Sequence, residues 1–157
     1  MQGFGFINQF FQHPREVGAC TESSRALAQK MAEEIAGSTN VVEFGAGTGT
    51  VTREILRYLP EKGRLTCFEV NPQFYKELEK INDSRLRVVN DDARNWDQYV
   101  DNVECIVSGL PLTLFDKATK KAFFDIAKSA GKYVQLQYLP FLRQTLKKNF
   151  PEVRTKF

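Results

Sequence analysis

The sequence predicts an α/β domain whose mostly parallel sheet is covered by helices on both faces. From residue 41 onward, short β-branched runs alternate with longer amphipathic stretches. Several of the short runs are apolar almost throughout, as expected for strands that helices cover on both sides. Repeated strand–helix–strand units form parallel sheets with right-handed crossovers. Because 157 residues suit one such domain and are too few for two, a single domain over residues 1–157 is expected.

The expected elements follow one another along the chain. The strand candidates are Asn40–Phe44, Arg64–Val70, Leu86–Asn90, Cys105–Ser108, Tyr133–Tyr138 and Val153–Phe157. The helix candidates are Thr21–Ala36, Thr50–Leu59, Gln73–Ile81 and Asp116–Ala130. The last of these opens on an Asp N-cap and ends before a glycine, which is typical helix punctuation. Residues 1–36 precede the alternation and are expected to form a helical lid or substrate segment, and residues 37–157 the α/β core.

Composition limits the classes of function. A net charge of +3 is compatible with an anionic partner but does not demand one. Three cysteines without a C-x-x-C pair and a single histidine predict no disulfide framework and no metal site. The sequence shows no signal peptide and no apolar run of about 20 residues. The protein is therefore expected in the cytoplasm, either free or attached at the inner membrane surface.

The first strand candidate ends in a glycine-rich loop, Glu43–Gly49, that leads directly into a helix. Glycines let a ligand approach main-chain N–H groups, and a helix N-terminus favours polar or anionic groups. Glu69 follows at the end of the second strand, where a carboxylate can accept hydrogen bonds from both ribose hydroxyls. Asp91 and Asp92 follow the third strand, where one carboxylate could accept the adenine amino group. This order predicts a nucleoside site at the carboxyl ends of the strands.

The loop resembles that of the class I S-adenosylmethionine-dependent methyltransferases, because its glycines alternate after an acidic residue instead of forming G-x-G-x-x-G. The resemblance implies a Rossmann-like methyltransferase fold with S-adenosylmethionine as cofactor. It places Glu43 at the methionine end of the cofactor, Glu69 at the ribose and Asp92 at the adenine. The cofactor-binding residues that it implies are Glu43, Phe44, Gly45, Ala46, Gly47, Gly49, Glu69, Val70, Asp92, Ala93 and Ser108.

Further motifs resemble the bacterial phospholipid N-methyltransferases, which are related to the ribosomal RNA adenine dimethylases. They are a P-x-x-V-G-A block at Pro14–Ala19, S-S-x-x-L-A at Ser23–Ala28, S-G-L-P-L at Ser108–Leu112 and Q-x-x-Y at Gln135–Tyr138. The resemblance implies methylation of the phosphatidylethanolamine head group. Ser108 and Tyr138 are the implied catalytic residues. The implied contacts with substrate or membrane are Phe4, Phe6, Phe10, Phe11, Ser23 and Ser24.

Each of these roles has a plainer alternative. Tyr138 could accept a hydrogen bond from the amine or stabilise the growing cation with its ring face, or it could simply pack at the sheet end. Ser108 could line the transfer channel or belong to a tight turn. The N-terminal phenylalanines fall on one helical face, which could enter a lipid surface or pack on the core of the domain.

Two other functions stay open. RNA adenine N6-methyltransferases carry Asn-x-Pro-Tyr/Phe after the fourth strand, and Ser108 and Leu112 lack the amide and the aromatic ring that would hold a flipped base. A nucleic-acid partner is therefore disfavoured. A non-enzymatic protein that binds S-adenosylmethionine or lipid is the third hypothesis. It rests on a C-terminal hairpin that is incomplete relative to the family, a feature that also predicts an exposed sheet edge, lower stability or self-association. The oligomeric state is not predicted.

Overall fold

The computed structural model of the chain describes residues 22–136 and Lys148. Its α-helices are α1 (Glu22–Glu33), α2 (Thr50–Tyr58), α3 (Pro72–Leu78) and α4 (Lys117–Ser129). Its strands are β1 (Asn40–Phe44), β2 (Arg64–Phe68), β3 (Leu86–Val89), β4 (Cys105–Ser108) and β5 (Lys132–Gln135). Two short 3-10 helices, Ala93–Gln98 and Leu112–Leu114, follow β3 and β4.

The five strands form one parallel sheet in the order β3-β2-β1-β4-β5. The chain runs outward from β1 to β3, then crosses back to β4 on the other side of β1. In this register Phe44 pairs with Phe68 on one side and Ser108 on the other, so three strands end at one level. The predicted Rossmann-like α/β fold is confirmed, and its carboxyl edge brings together the segments that follow these strands.

Two apolar layers cover the sheet. On one face, Met31 and Ile35 from α1 and its C-terminal turn pack with Ile55 of α2 and Leu78 of α3. The other face is aromatic. There the Phe44 ring lies 6.0 Å from that of Phe68 in an edge-to-face arrangement, and also 6.0 Å from that of Phe123 of α4. Burying side chains of this size stabilises the fold by roughly 1.5–3 kcal/mol each.

Helix ends differ from the sequence expectations by a few residues. The helix predicted over Thr21–Ala36 is observed as Glu22–Glu33 and continues as a turn. In the sequence, Leu27, Met31 and Ile35 are spaced four apart, which predicts that they share one apolar face of this helix, and this prediction is partly wrong. Met31 and Ile35 are buried, but Leu27 is 39% exposed, and Ala28 lies against the core in its place. The Asp116 N-cap is confirmed, because its carboxylate accepts a hydrogen bond from Thr119 N at 2.9 Å.

Strand ends differ in a similar way. The strand predicted over Arg64–Val70 ends at Phe68, although Glu69 N still donates to Val89 O of β3, and the Glu69 side chain binds Gly47 N in the loop after β1. The strand predicted over Tyr133–Tyr138 is observed as Lys132–Gln135. The predicted strand Val153–Phe157, the rest of the C-terminal hairpin and the N-terminal phenylalanines lie outside the described residues. Within residues 22–136 and Lys148, no helix is long and apolar enough to cross a membrane, and no cluster of side chains could hold a metal ion.

Candidate functional site

The glycine-rich loop joins β1 to α2 at the carboxyl edge of the sheet. Gly45, Gly47 and Gly49 all have positive φ, at 70°, 55° and 79°. A Cβ on Gly45 would lie 2.7 Å from Leu110 Cδ2, and one on Gly49 would lie 2.9 Å from Leu78 Cδ2. A Cβ on Gly47 would meet no atom within 4 Å. Positive φ and close packing both favour glycine at positions 45 and 49, whereas the Cα of Gly47 faces open space, where a ligand could approach.

The Glu43 side chain is buried behind this loop and is only 2% exposed. Its Oε2 accepts hydrogen bonds from Thr52 Oγ1 at 2.7 Å and from Cys67 Sγ at 3.0 Å. Burial raises the pKa of Glu43 to about 7, although the two hydrogen bonds act in the opposite direction and nearby Glu69 adds to the rise. The structure therefore holds an acid that changes charge near neutral pH directly beneath the loop.

The Glu69 carboxylate binds the loop from the neighbouring strand end. Its Oε2 accepts a hydrogen bond from Gly47 N and its Oε1 from Asn71 N, both at 2.8 Å. Burial raises the pKa of Glu69, and these backbone hydrogen bonds oppose the rise. A carboxylate offers about four lone-pair sites. The backbones of Gly47, Asn71 and Val70 engage up to three of these sites, so at least one remains for a further donor such as a ribose hydroxyl.

The two aspartates after β3 have different surroundings. Asp91 accepts hydrogen bonds from Tyr99 Oη at 2.7 Å and from Asn95 Nδ2, and these contacts lower its pKa. Asp92 forms a two-point ion pair with Arg94, at 2.6 and 3.0 Å, and caps the 3-10 helix through Arg94 N. Asp91 is thus occupied in holding the segment after β3. The expectation that Asp92 is the ligand-facing acid remains a prediction.

The segment after β4 lies against the glycine loop. Gly109 N donates to Phe44 O at 2.9 Å, and a Cβ on Gly109 would lie 3.0 Å from Gly45 O. Ser108 is fully buried, and its Oγ accepts a hydrogen bond from Leu110 N at 3.3 Å. The structure therefore gives Ser108 a part in the turn, and the backbones of the two segments are in direct contact.

Gln135 of β5 holds this turn from the other side, a role that sequence reasoning missed. Its Nε2 donates to Leu110 O at 2.9 Å and to Leu136 O at 2.7 Å, while its Oε1 accepts from Tyr133 Oη at 3.2 Å. Burial raises the pKa of Tyr133 to about 12, so its hydroxyl stays protonated at neutral pH. The Q-x-x-Y motif marked Gln135 in the sequence, but nothing in the sequence indicated that it contacts Leu110.

The remaining predicted residues divide into three groups. Phe44, Ala46 and Ala93 are buried in the two apolar layers, so Phe44 offers the loop its backbone and not its ring. Val70 is half-buried beside Glu69. Ser23 and Ser24 lie in the first turn of α1, but their side chains are outside the described part of the chain. Phe4, Phe6, Phe10, Phe11 and Tyr138 lie outside it entirely.

The residues at this edge suit S-adenosylmethionine. The open space beside the Cα of Gly47 would admit the cofactor to the loop, although its N–H is bound to Glu69, and the remaining acceptor capacity of Glu69 suits a ribose hydroxyl. Glu43 would supply an anion near the methionine ammonium, and the side chain of Asp92 would face the adenine. Thr52 and Cys67, which hold Glu43, were not among the predicted site residues, since a threonine in a helix and a cysteine in an apolar run carry no distinctive sequence signal.

Comparisons with known proteins agree with this geometry. A family model described as "Methyltransferase domain" matches residues 41–132, which include β1 to the start of β5. The ornithine lipid N-methyltransferase of Singulisphaera acidiphila is 28% identical over 160 residues, which cover 94% of this chain and 83% of that protein.

Solved structures share the fold at lower identity. The 23S rRNA methyltransferase ErmE superposes with a TM-score of 0.60 at 23% identity, over 79% of this chain and 50% of that one. The plantazolicin methyltransferase BamL, solved with a triazolic desmethylPZN analogue and SAH, superposes with a TM-score of 0.59 at 18% identity. That match covers 94% of this chain and 56% of BamL. The chain thus spans about half the length of these two structures.

Proposed function

The chain belongs to the S-adenosylmethionine-dependent methyltransferase family, and from this premise we propose that its methyl acceptor is the amino group of a membrane lipid. The lipid N-methyltransferase to which it is similar over most of both chains supports this acceptor class. Phosphatidylethanolamine is the acceptor that the S-G-L-P-L motif favours. An ornithine lipid is the alternative within the same class, because it is the substrate named for the relative.

The observation that carries the proposal is the placement of Leu112. An adenine methyltransferase needs a side chain after β4 that stacks on the flipped base. Here Leu112 is 2% exposed and packs in the aromatic layer with Phe115 and Phe123. The next large apolar side chain, Leu114, is 39% exposed at the same edge of the sheet. It offers contact to an acyl chain and lacks the flat face that a base requires.

The chemistry asks little of the protein beyond alignment and control of charge. When bound, the cofactor supplies an electrophilic methyl group on a sulfonium, and the acceptor nitrogen must reach it in line and without its proton. A water-poor environment favours the neutral amine. Leu110 O already accepts from Gln135 Nε2 and from Leu112 N, so Gly109 O is the better candidate to receive a hydrogen bond from the amine. Tyr138 is proposed as a further contact on the strength of the resemblance.

The test of function is methyl transfer to defined acceptors. Protein and S-adenosylmethionine labelled in the methyl group are incubated with phosphatidylcholine vesicles that contain phosphatidylethanolamine, with vesicles that contain an ornithine lipid, and with structured RNA. We expect label in one of the amine-bearing lipids and none in vesicles of phosphatidylcholine alone. Label in RNA, or in no acceptor at all although the protein binds S-adenosylmethionine, would refute the proposal.

Attachment to a lipid surface through the N-terminal phenylalanines is a separate proposal. It is tested by co-sedimentation with vesicles of mixed zwitterionic and anionic lipids, comparing the full chain with a variant in which Phe4, Phe6, Phe10 and Phe11 are serine. The expected result is reduced sedimentation of the variant with unchanged binding of S-adenosylmethionine. Equal sedimentation of both proteins would show that these side chains do not attach the protein to lipid.

A further inference from the structure

The buried carboxylate of Glu43 has donors on one of its two oxygens. Thr52 Oγ1 and Cys67 Sγ both approach Oε2, at 2.7 and 3.0 Å. In the part of the chain that the structure describes, no donor contacts Oε1. Every fully buried side-chain oxygen in that part of the chain has a hydrogen-bond partner. Because Oε1 has none there, it is not fully buried. The carboxylate is therefore held at Oε2, whereas Oε1 has no donor among the described residues and at most a small exposed area, since Glu43 as a whole is 2% exposed.

No cation balances this carboxylate among residues 22–136. The groups that face it are the hydroxyl of Thr52 from α2, the thiol of Cys67 from β2 and the carboxylate of Glu69 beyond β2. Burial raises the pKa of Cys67 as well, so the thiol stays neutral and acts as a donor. A buried carboxylate without a countercharge is costly, and the hydrogen bonds that it accepts decide whether it stays ionised.

We propose that Thr52 is a positioning residue for the cofactor site. Its hydroxyl orients Glu43 and stabilises the ionised form of the carboxyl group, so that Oε1 can bind the ammonium group of the methionine moiety of the cofactor. Cys67 supports the same oxygen from the sheet. The inference rests on the proposed role of this edge as the cofactor site. It assigns a function to two buried side chains that touch neither the cofactor nor the acceptor.

The position of Thr52 suits this role. It lies in the first turn of α2, where the partial positive charge of the helix N-terminus also favours an anion. Its side chain is fully buried, and Gly49 begins the helix without a side-chain cap. Thr52 Oγ1 therefore serves Glu43 and does not cap the helix. Hydrogen bonds to charged groups are among the stronger ones in proteins, so their loss should be measurable in binding.

The experiment compares two ligands that differ in the methionine moiety alone. Both are neutral thioethers of the same nucleoside, but S-adenosylhomocysteine carries the amino acid with its ammonium and carboxylate groups, whereas 5′-methylthioadenosine carries a methyl group in its place. Calorimetric titrations of Thr52→Val are run with both ligands between pH 6 and 9. We expect affinity for S-adenosylhomocysteine to fall roughly tenfold or more at pH 7. The pH at which binding is half-maximal should rise, because the loss of a donor disfavours the ionised acid.

The controls separate positioning from packing. Affinity for 5′-methylthioadenosine should stay unchanged, and Thr52→Ser, which keeps the hydroxyl, should restore binding of S-adenosylhomocysteine and its pH profile. Should Thr52→Val fail to fold, Cys67→Ala removes the second donor to the same oxygen and is expected to act in the same direction.

Equal loss of both ligands, or no loss of either, would overturn the proposal. A wild-type protein that binds neither ligand would overturn it together with the cofactor site. A wild-type protein that binds S-adenosylhomocysteine but methylates no lipid would overturn the proposed acceptor alone and leave the Thr52 comparison decisive.

Discussion

Glu43 should make the stability of the fold depend on pH in the neutral range. Burial raises its pKa from 4.5 to about 7 in the folded protein, whereas in the unfolded chain the side chain is solvated. An acid whose pKa is raised on folding binds its proton more tightly in the folded state. Its contribution to stability is therefore fully present below pH 4.5 and is lost as the pH rises through 7. Each pKa unit corresponds to about 1.4 kcal/mol, so the loss is roughly 3 kcal/mol.

The perturbation that tests this is Glu43→Gln, which keeps the shape of the side chain and removes its ionisation. Urea unfolding at pH 5, 6, 7 and 8 can be followed by the fluorescence of Trp96, the single tryptophan, which packs against the aromatic layer. The free energy of unfolding of the wild-type protein should fall by about 2.5 kcal/mol between pH 5 and 8, because a part of the total loss already occurs below pH 5. The variant should lose most of this fall and retain a residual fall from Glu69, whose pKa burial also raises.

Glu104→Gln is the matched control, because folding lowers the pKa of Glu104 and raises that of Glu43. Hydrogen bonds from Thr39 N and Asn40 N lower the pKa of Glu104, so it stabilises the fold at neutral pH and loses that effect as the pH falls. The control variant should be destabilised at neutral pH while its fall between pH 5 and 8 stays like that of the wild-type protein. A flat wild-type profile, or a Glu43→Gln variant with the full wild-type fall, would refute the reasoning.

Three further changes separate packing from ligand binding at the same edge. Gly45→Ala should destabilise the fold by about 2 kcal/mol or more in urea unfolding, since its Cβ would lie 2.7 Å from a Leu110 methyl group. Gly47→Ala should lower the free energy of unfolding by only about 1 kcal/mol, because of its positive φ. Its main effect should be weaker binding of S-adenosylhomocysteine. Equal stability of the two variants would contradict this distinction. Gln135→Ala should lower kcat for methyl transfer more than it raises KM for the cofactor, because the variant loses the hydrogen bond that holds the turn at Leu110. An unchanged kcat would show that Gln135 has no part in the site. Asp92→Asn should weaken S-adenosylhomocysteine and 5′-methylthioadenosine alike, by roughly tenfold in calorimetry, and selective loss of one ligand would place Asp92 elsewhere than at the nucleoside.

The sheet and the loop could be predicted because their signals are local. Two strands, Asn40–Phe44 and Cys105–Ser108, have the predicted ends, since each is a short apolar run bounded by polar or glycine residues. The glycine pattern marked the turn into α2. The exposure of Leu27 was missed because a spacing of four residues drifts around a helix, and the tertiary contact that selects Ala28 instead is made by another element.

The interior of the site could not be predicted in the same way. That Glu43 faces Thr52 and Cys67 depends on how α2 packs on the sheet, which no spacing within the chain records. The contact of Gln135 with Leu110 joins residues 25 apart through the pairing of β5 with β4. The 3-10 helix Ala93–Gln98 is another example, because its start is set by the Asp92 cap and its packing by the aromatic layer.

The contact between Gly109 and the glycine loop has a consequence for the order in which ligands bind. Phe44 O and Gly109 N are joined at 2.9 Å, and the backbone of Gly45 leaves no room for a methyl group between them and Leu110. A cofactor that orders the glycine-rich loop should therefore also order the turn at Gly109 and Leu110, which is the proposed contact of the methyl acceptor. Cofactor and acceptor should consequently bind with positive cooperativity, the acceptor gaining affinity once the donor is in place.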